Sequence, residues 1–233
     1  MPEVPPLPEP SLLLWLGFIA LPLVMAALVV AAVGVTSGRR AGQRAALVTA
    51  AWLALTAVLA ASGFLNHWAP PRIALVLVGI IALVTWTARS TWGAALGRLP
   101  LQLLVGFQAF RILVELLIHR AVLESVAPET LTWTGYNLDI IPGVTALMLA
   151  PVAHRLPRPA LHLWNLAAAA TLCVTVVTAL GAAPTPFQFI HDPVPNTWVA
   201  RFPFVWLPAV LVAVAFAGHV ALFRRLRRDA ARR

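Results

Sequence analysis

The chain has 233 residues, of which 61% are hydrophobic and 11% charged, with a mean hydropathy of +0.86. A soluble domain is typically about 45–50% apolar and about 25% charged, so this composition excludes an ordinary water-soluble domain and indicates a membrane protein. The formal charge of +9 would suit a nucleic-acid binder, but the arginines fall in short stretches between apolar runs and at the C-terminal end, so no nucleic-acid partner is expected.

None of the 17 basic residues is lysine. With so much Ala, Pro and Arg, that bias reads as GC-rich bacterial coding, and places the expected location in the bacterial cytoplasmic membrane. Cys173 is the single cysteine, so no intrachain disulfide can form.

In chain order, residues 1–10 are proline-rich with Glu3 and Glu9 and no basic residue. This is the opposite of the basic n-region of a signal peptide, and predicts a short extracytoplasmic tail before an uncleaved first span. Apolar runs then occupy about 12–35, 45–65, 73–87, 99–118, 138–153, 161–182 and 204–223. They predict an all-α transmembrane domain of seven helices over 11–224, with Pro22 kinking the first and a basic cytoplasmic tail over 225–233. The third and fifth runs fall short of the ~20 residues that a bilayer core normally takes.

Arginines mark alternate connections. Arg39, Arg40 and Arg44 follow the first run, Arg89 and Arg98 the third, Arg155 and Arg158 the fifth, and the 224–233 cluster the seventh. Only Arg72, Arg111, Arg120 and Arg201 stand elsewhere. The positive-inside rule then predicts an outer N-terminus and a cytoplasmic C-terminus, with the terminal arginines meeting anionic lipid headgroups. Trp15, Trp68, Trp133 and Trp198 are expected at the outer interface, and Trp86, Trp92 and Trp164 at the inner one. Trp52, in mid-span, is expected to be packed inside. Two longer outer connections, 121–137 and 183–203, are candidates to line or cover a site.

The fourth run carries the chemistry. Gln108, Arg111, Glu115 and His119 recur at i, i+3, i+7 and i+11, one polar stripe on an oily helix. A central Arg costs about 2.5–3.5 kcal/mol on insertion scales unless it faces protein or water, so the stripe demands partners. Arg111 and Glu115 at i, i+4 can pair directly. Tyr136, Asn137 and Asp139 are expected at the same depth, forming an outer ligand- or ion-binding cluster with Arg111, Glu115 and His119. Asn137 and Asp139 could instead cap the fifth helix. On that helix Asp139, Gly143, Ala146, Ala150 and His154 share one face, whose small residues let another helix approach closely.

A second tier, His154, His162, Asn165 and His219, is expected near the cytoplasmic end. Facing histidines can ligate haem and three can bind a metal, but no HxxxH, HExxH or cysteine partner enforces either, so haem and metal are not expected. A retinal Schiff base needs a lysine, and there is none. Neither a P-loop nor a GxSxG nucleophile turn is present. Three function classes remain: a transporter or sensor binding a small ligand or ion, an intramembrane enzyme using Glu115, His119 and Asp139 as acid–base groups, and a haem or metal redox subunit using the inner histidines. The first asks only for a buried charged site, and is preferred.

FRILVE (110–115), TWTGYNLDIIPGVTA (132–146), LWN (163–165), and FPFVWLPAVLV followed by GHVALFRRL (202–226) together resemble a family of bacterial multi-pass membrane proteins of about seven helices. The likeness covers roughly residues 110–224. The family pattern has an acidic residue and a phenylalanine near Gly135 and Leu138, where this chain has Thr134 and Leu138. The resemblance implies the topology and points at residues; the family brings no assigned activity.

Overall fold

The computed structural model describes residues 8–230, with side chains to residue 228. Glu3 with most of the acidic tail, and Arg232 and Arg233, lie outside those residues. Among the described residues the chain is helical, without a strand; an isolated bridge joins Trp68 and Pro71. Five helices are long and apolar enough to cross a membrane: α1 (Leu12–Ser37), α2 (Arg39–Ala61), α5 (Leu101–Leu123), α7 (Arg158–Gly181) and α8 (Leu207–Arg228). Between them lie two shorter apolar helices, α3 (Ala74–Arg89) and α6 (Ile140–Val152), and the six-residue α4 (Thr91–Leu96). At a rise of 1.5 Å per residue α3 spans about 24 Å, less than the ~30 Å of a hydrocarbon core.

α1 runs through Pro22 and ends where Gly38 takes φ +91°, a value that a Cβ would oppose. The chain re-enters a helix at Arg39. The loop expected over 36–44 is therefore a single-residue turn, with Arg39, Arg40 and Arg44 on the first turns of α2. The hairpin closes because Gly34 meets Gly42: a Cβ on Gly42 would lie 2.9 Å from the Gly34 Cα. α2 is fastened to α8 by two tryptophans acting reciprocally. Trp52 Nε1 donates to the Ala209 carbonyl at 2.9 Å, and Trp206 Nε1 donates to the Leu53 carbonyl at 3.2 Å. Ala209 lies in the π-helical first turns of α8, Leu207–Val212. Such wide turns loosen the regular carbonyl ladder, so an indole can take a carbonyl there. Trp52 is packed inside, as expected, and the absence of a side chain at Gly79 makes room for its ring.

At the end of the bundle that holds α4, Arg224 donates to the Ala88 and Ser90 carbonyls, and Arg225 to the Arg98 carbonyl. At the opposite end, Ser11 ties the start of α1 to Glu124 after α5. The Ser11 amide and hydroxyl donate to the carboxylate at 2.7 and 2.6 Å, and Arg120 Nε donates at 2.5 Å. Burial alone would raise the Glu124 carboxyl, but these bonds outweigh it and hold its pKa below the ordinary carboxylate value. Residues 183–203 fold onto the same end. Phe189 covers Gly181, and Trp198 is fully buried in edge and tilted contacts with Phe18 and Phe204. Trp198 and Trp68 are thus core residues, covered by the tertiary folding of the connections.

Leu12, Leu47, Val78, Leu116, Leu147 and Leu166 face outward from six different helices. Apolar surface of this extent is a liability in water and ordinary against lipid chains.

Candidate functional site

α5 presents the polar stripe to the interior. Its regular turns are interrupted by a tighter one at Phe107–Ala109, and beyond it Arg111 and Glu115 are 2% and 1% exposed. α6 lies against this face at close range. A Cβ on Gly143 would stand 2.9 Å from Ile112 Cγ1 and 3.0 Å from the Ile112 amide nitrogen, and one on Gly106 would touch Ala150. The small-residue face expected on α6 therefore packs against α5, and brings Asp139 to Arg111.

Arg111 is held by three elements, with its Nε left without a partner. It forms an ion pair with Asp139 through Nη2, which also donates to Thr171 Oγ1 at 3.1 Å. Nη1 donates to the Ala168 carbonyl at 3.1 Å and meets His219 Nε2 at 3.3 Å. Because the guanidinium has only donors, that imidazole nitrogen accepts and carries no proton. His219 Nδ1 then donates to Asn165 Oδ1 at 2.8 Å, while Asn165 Nδ2 donates to the His219 carbonyl. The ring is held as its neutral Nδ1–H tautomer, with both nitrogens engaged. Asn165 and His219 of the inner tier are therefore joined to the outer cluster through the reach of Arg111.

The i, i+4 pair of Arg111 with Glu115 does not form. Asp139, carried in from α6, takes the guanidinium, and Glu115 Oε1 accepts from Asn137 Nδ2 instead. Asn137 is a satisfied hub. Its amide nitrogen also donates to the Leu131 carbonyl at 2.9 Å, and its Oδ1 accepts from Thr175 Oγ1 at 2.7 Å and from the Asp139 amide at 3.0 Å. Asp139 begins α6 without a side-chain capping bond, so its carboxylate serves Arg111 and not the helix end.

Other expected members stand apart. Tyr136 is 61% exposed, because the turn at Thr132–Gly135 rotates it away from Asn137. His119 stacks on Trp133, ring centroids 4.3 Å apart, and is partly buried one turn beyond Glu115. Gln108 donates to the Ala215 carbonyl at 3.2 Å, against the open face of Gly218. His154 is exposed and bonded to Gln102 and Arg155, and His162 sits edge-on to Phe223. His154, His162 and His219 thus have separate surroundings, and no group of three or more metal-ligating side chains comes together among the described residues.

A cavity of about 120 Å³ opens beside Glu115. Its walls come from α3, α5, α7 and the π turns of α8, and are almost wholly apolar. Glu115, Arg111, Asp139, Thr175 and Asn196 supply the polar lining. Asn196 and Thr171 with Thr175 were not anticipated from sequence. The threonines left a signal, since with Asn165 and Ala168 they trace one face of α7 at i, i+3, i+6 and i+10. Asn196 left none, because it reaches the cavity through the folding of an irregular connection. Its Nδ2 donates to the Ala179 carbonyl at 2.7 Å, which sets the orientation of the amide, and its buried Oδ1 has no partner. Glu115 Oε2 is likewise buried without a partner.

Comparison with family models, with curated proteins and with solved structures finds no match to this chain.

Proposed function

We propose that this protein is an integral membrane protein of seven transmembrane helices, outer N-terminus and cytoplasmic C-terminus, residing in the bacterial cytoplasmic membrane. On this reading it binds a small ligand or ion for transport or sensing in the cavity beside Glu115. α3 and α6 count as the two short spans, and the terminal arginines meet anionic headgroups. The topology is supported by the alternate clustering of arginines and by the single-residue turn that makes α1 and α2 antiparallel. Reporter fusions at Arg40, Glu129, Arg158 and the C-terminal end test it; residues 40 and 129 on one side of the membrane would overturn it.

One observation carries the binding reading: Glu115, buried at mid-helix and lining an apolar cavity, keeps one carboxylate oxygen without a partner. Intramembrane ionisable groups are costly, and those not absorbed by structure mark ligand or ion paths. The ion pair of Arg111 and its three further hydrogen bonds support a scaffolding role for that residue, which leaves the ligand contact to Glu115. Native mass spectrometry of the protein in lipid nanodiscs tests this. A co-purifying small molecule retained by wild type and lost from Glu115→Gln is expected. Identical spectra for the two would remove Glu115 from the site.

A further inference from the structure

The charges around the cavity do not balance. Arg111 and Asp139 neutralise one another, and His219 is neutral by its hydrogen bonds. Glu115 has a neutral amide from Asn137 and no cationic partner within ion-pair distance. Its charge has to be met by a proton or by a cation from outside the fold, because a lone charge in this environment is the expensive state.

The unpartnered atoms have a consistent sense. Glu115 Oε2 and Asn196 Oδ1 are both acceptors, both buried, and both belong to residues lining one cavity. A proton alone would neutralise Glu115 and leave Asn196 Oδ1 unsatisfied. The orphaned donor on the same lining, Arg111 Nε, belongs to a guanidinium whose charge Asp139 already meets. An anion placed there would stand beside two carboxylates. A bare metal cation fits poorly as well, since hard cations collect about six to eight oxygen ligands and the remaining walls are Val76, Ile80, Leu211 and similar side chains. Size adds a limit. An apolar cavity of ~150 Å³ admits benzene, and this one measures about 120 Å³.

We propose that the cavity binds an organic monocation: a primary ammonium head hydrogen-bonded to Glu115 Oε2 and Asn196 Oδ1, on an apolar body about the size of one aromatic ring. This rests on the binding reading above and names its ligand class. The ammonium supplies N–H donors for both orphaned oxygens and the positive charge that Glu115 lacks, while the body occupies the apolar walls. α3 and α7 both contribute walls to the cavity.

Three probes of one shape, phenethylammonium, 3-phenylpropionate and propylbenzene, test the proposal by titration calorimetry on the full chain in nanodiscs. Wild type is expected to bind phenethylammonium about tenfold or more tightly than either of the others. Glu115→Gln keeps the shape and the Asn137 bond, and is expected to erase that preference while its melting temperature stays near wild type. Should wild type favour the carboxylate, or Glu115→Gln leave the ammonium affinity unchanged, the cation assignment falls and the binding reading stands. Failure of all three probes in a protein that retains a co-purifying molecule overturns the cation assignment alone. Failure of all three with no retained molecule overturns both.

Discussion

Arg111 and Glu115 sit one helical turn apart on α5 and are equally buried, yet their surroundings are opposite. Arg111 is locked by α6, α7 and α8 through an ion pair, a carbonyl, a hydroxyl and an imidazole. Glu115 lines a cavity, and has one amide donor and an oxygen without a partner. A buried charge paired with an opposite charge and bonded to three helices behaves as part of the scaffold, because displacing any of those partners leaves an orphan. An under-satisfied one is where external chemistry can enter. The stripe that looks uniform along the helix thus divides into a fixed half and an under-bonded half.

Removing the fixed half should disturb the protein most. Arg111→Leu strands Asp139, and is expected to cost about 3–5 kcal/mol. Adding Asp139→Leu should restore most of that loss, while adding Glu115→Leu should restore little. Denaturation in detergent micelles measures all three, and rescue by Glu115→Leu would reassign the ion pair. Next in size, Gly143→Val drives a side chain into Ile112, whose amide nitrogen would stand 3.0 Å from the new Cβ, and is expected to cost about 1–3 kcal/mol. It should also loosen the approach of Asp139 to Arg111, so its cost and that of Arg111→Leu should be less than additive in a double-mutant cycle.

A smaller effect lies far from the site, at the Ser11–Glu124 tie. Ser11→Ala removes a cap on α1 as well as the hydroxyl bond to Glu124, and should cost about 1 kcal/mol. Because the Glu124 pKa is held down in the fold, its contribution is fully present above the ordinary carboxylate pKa and fades as pH falls through the lowered value. The gap between thermal melts of wild type and Ser11→Ala should therefore narrow in acid, to what the lost cap alone costs, and widen at neutral pH; a gap that does not change with pH would show that the hydroxyl bond to Glu124 contributes nothing. Smallest of all is the expected stability effect of Glu115→Gln, about 0.5 kcal/mol or less, since the Asn137 bond survives. A large loss there would show Glu115 to be scaffold, like Arg111, and erase the distinction between them.

Much of this was legible from sequence because it depends on local periodicity. The apolar runs, their all-helical nature and the inward stripe of Gln108, Arg111 and Glu115 follow from spacings of three and four on hydrophobic helices, and burial of such a stripe is forced by the cost of exposing charge to lipid. The small-residue face of α6 was readable for the same reason. Tertiary structure alone decided who answers the stripe. Arg111 had a partner available on its own helix and took Asp139 from the next, because Gly143 lets α6 approach closely enough for that carboxylate to meet the guanidinium. His219 entered the same network from α8, more than a hundred residues away in the chain, and Asn196 reached the cavity from a connection with no periodicity to read. Helical spacing states which residues share a face; which faces meet is set by how closely backbones can pack, and that is a property of the assembled bundle.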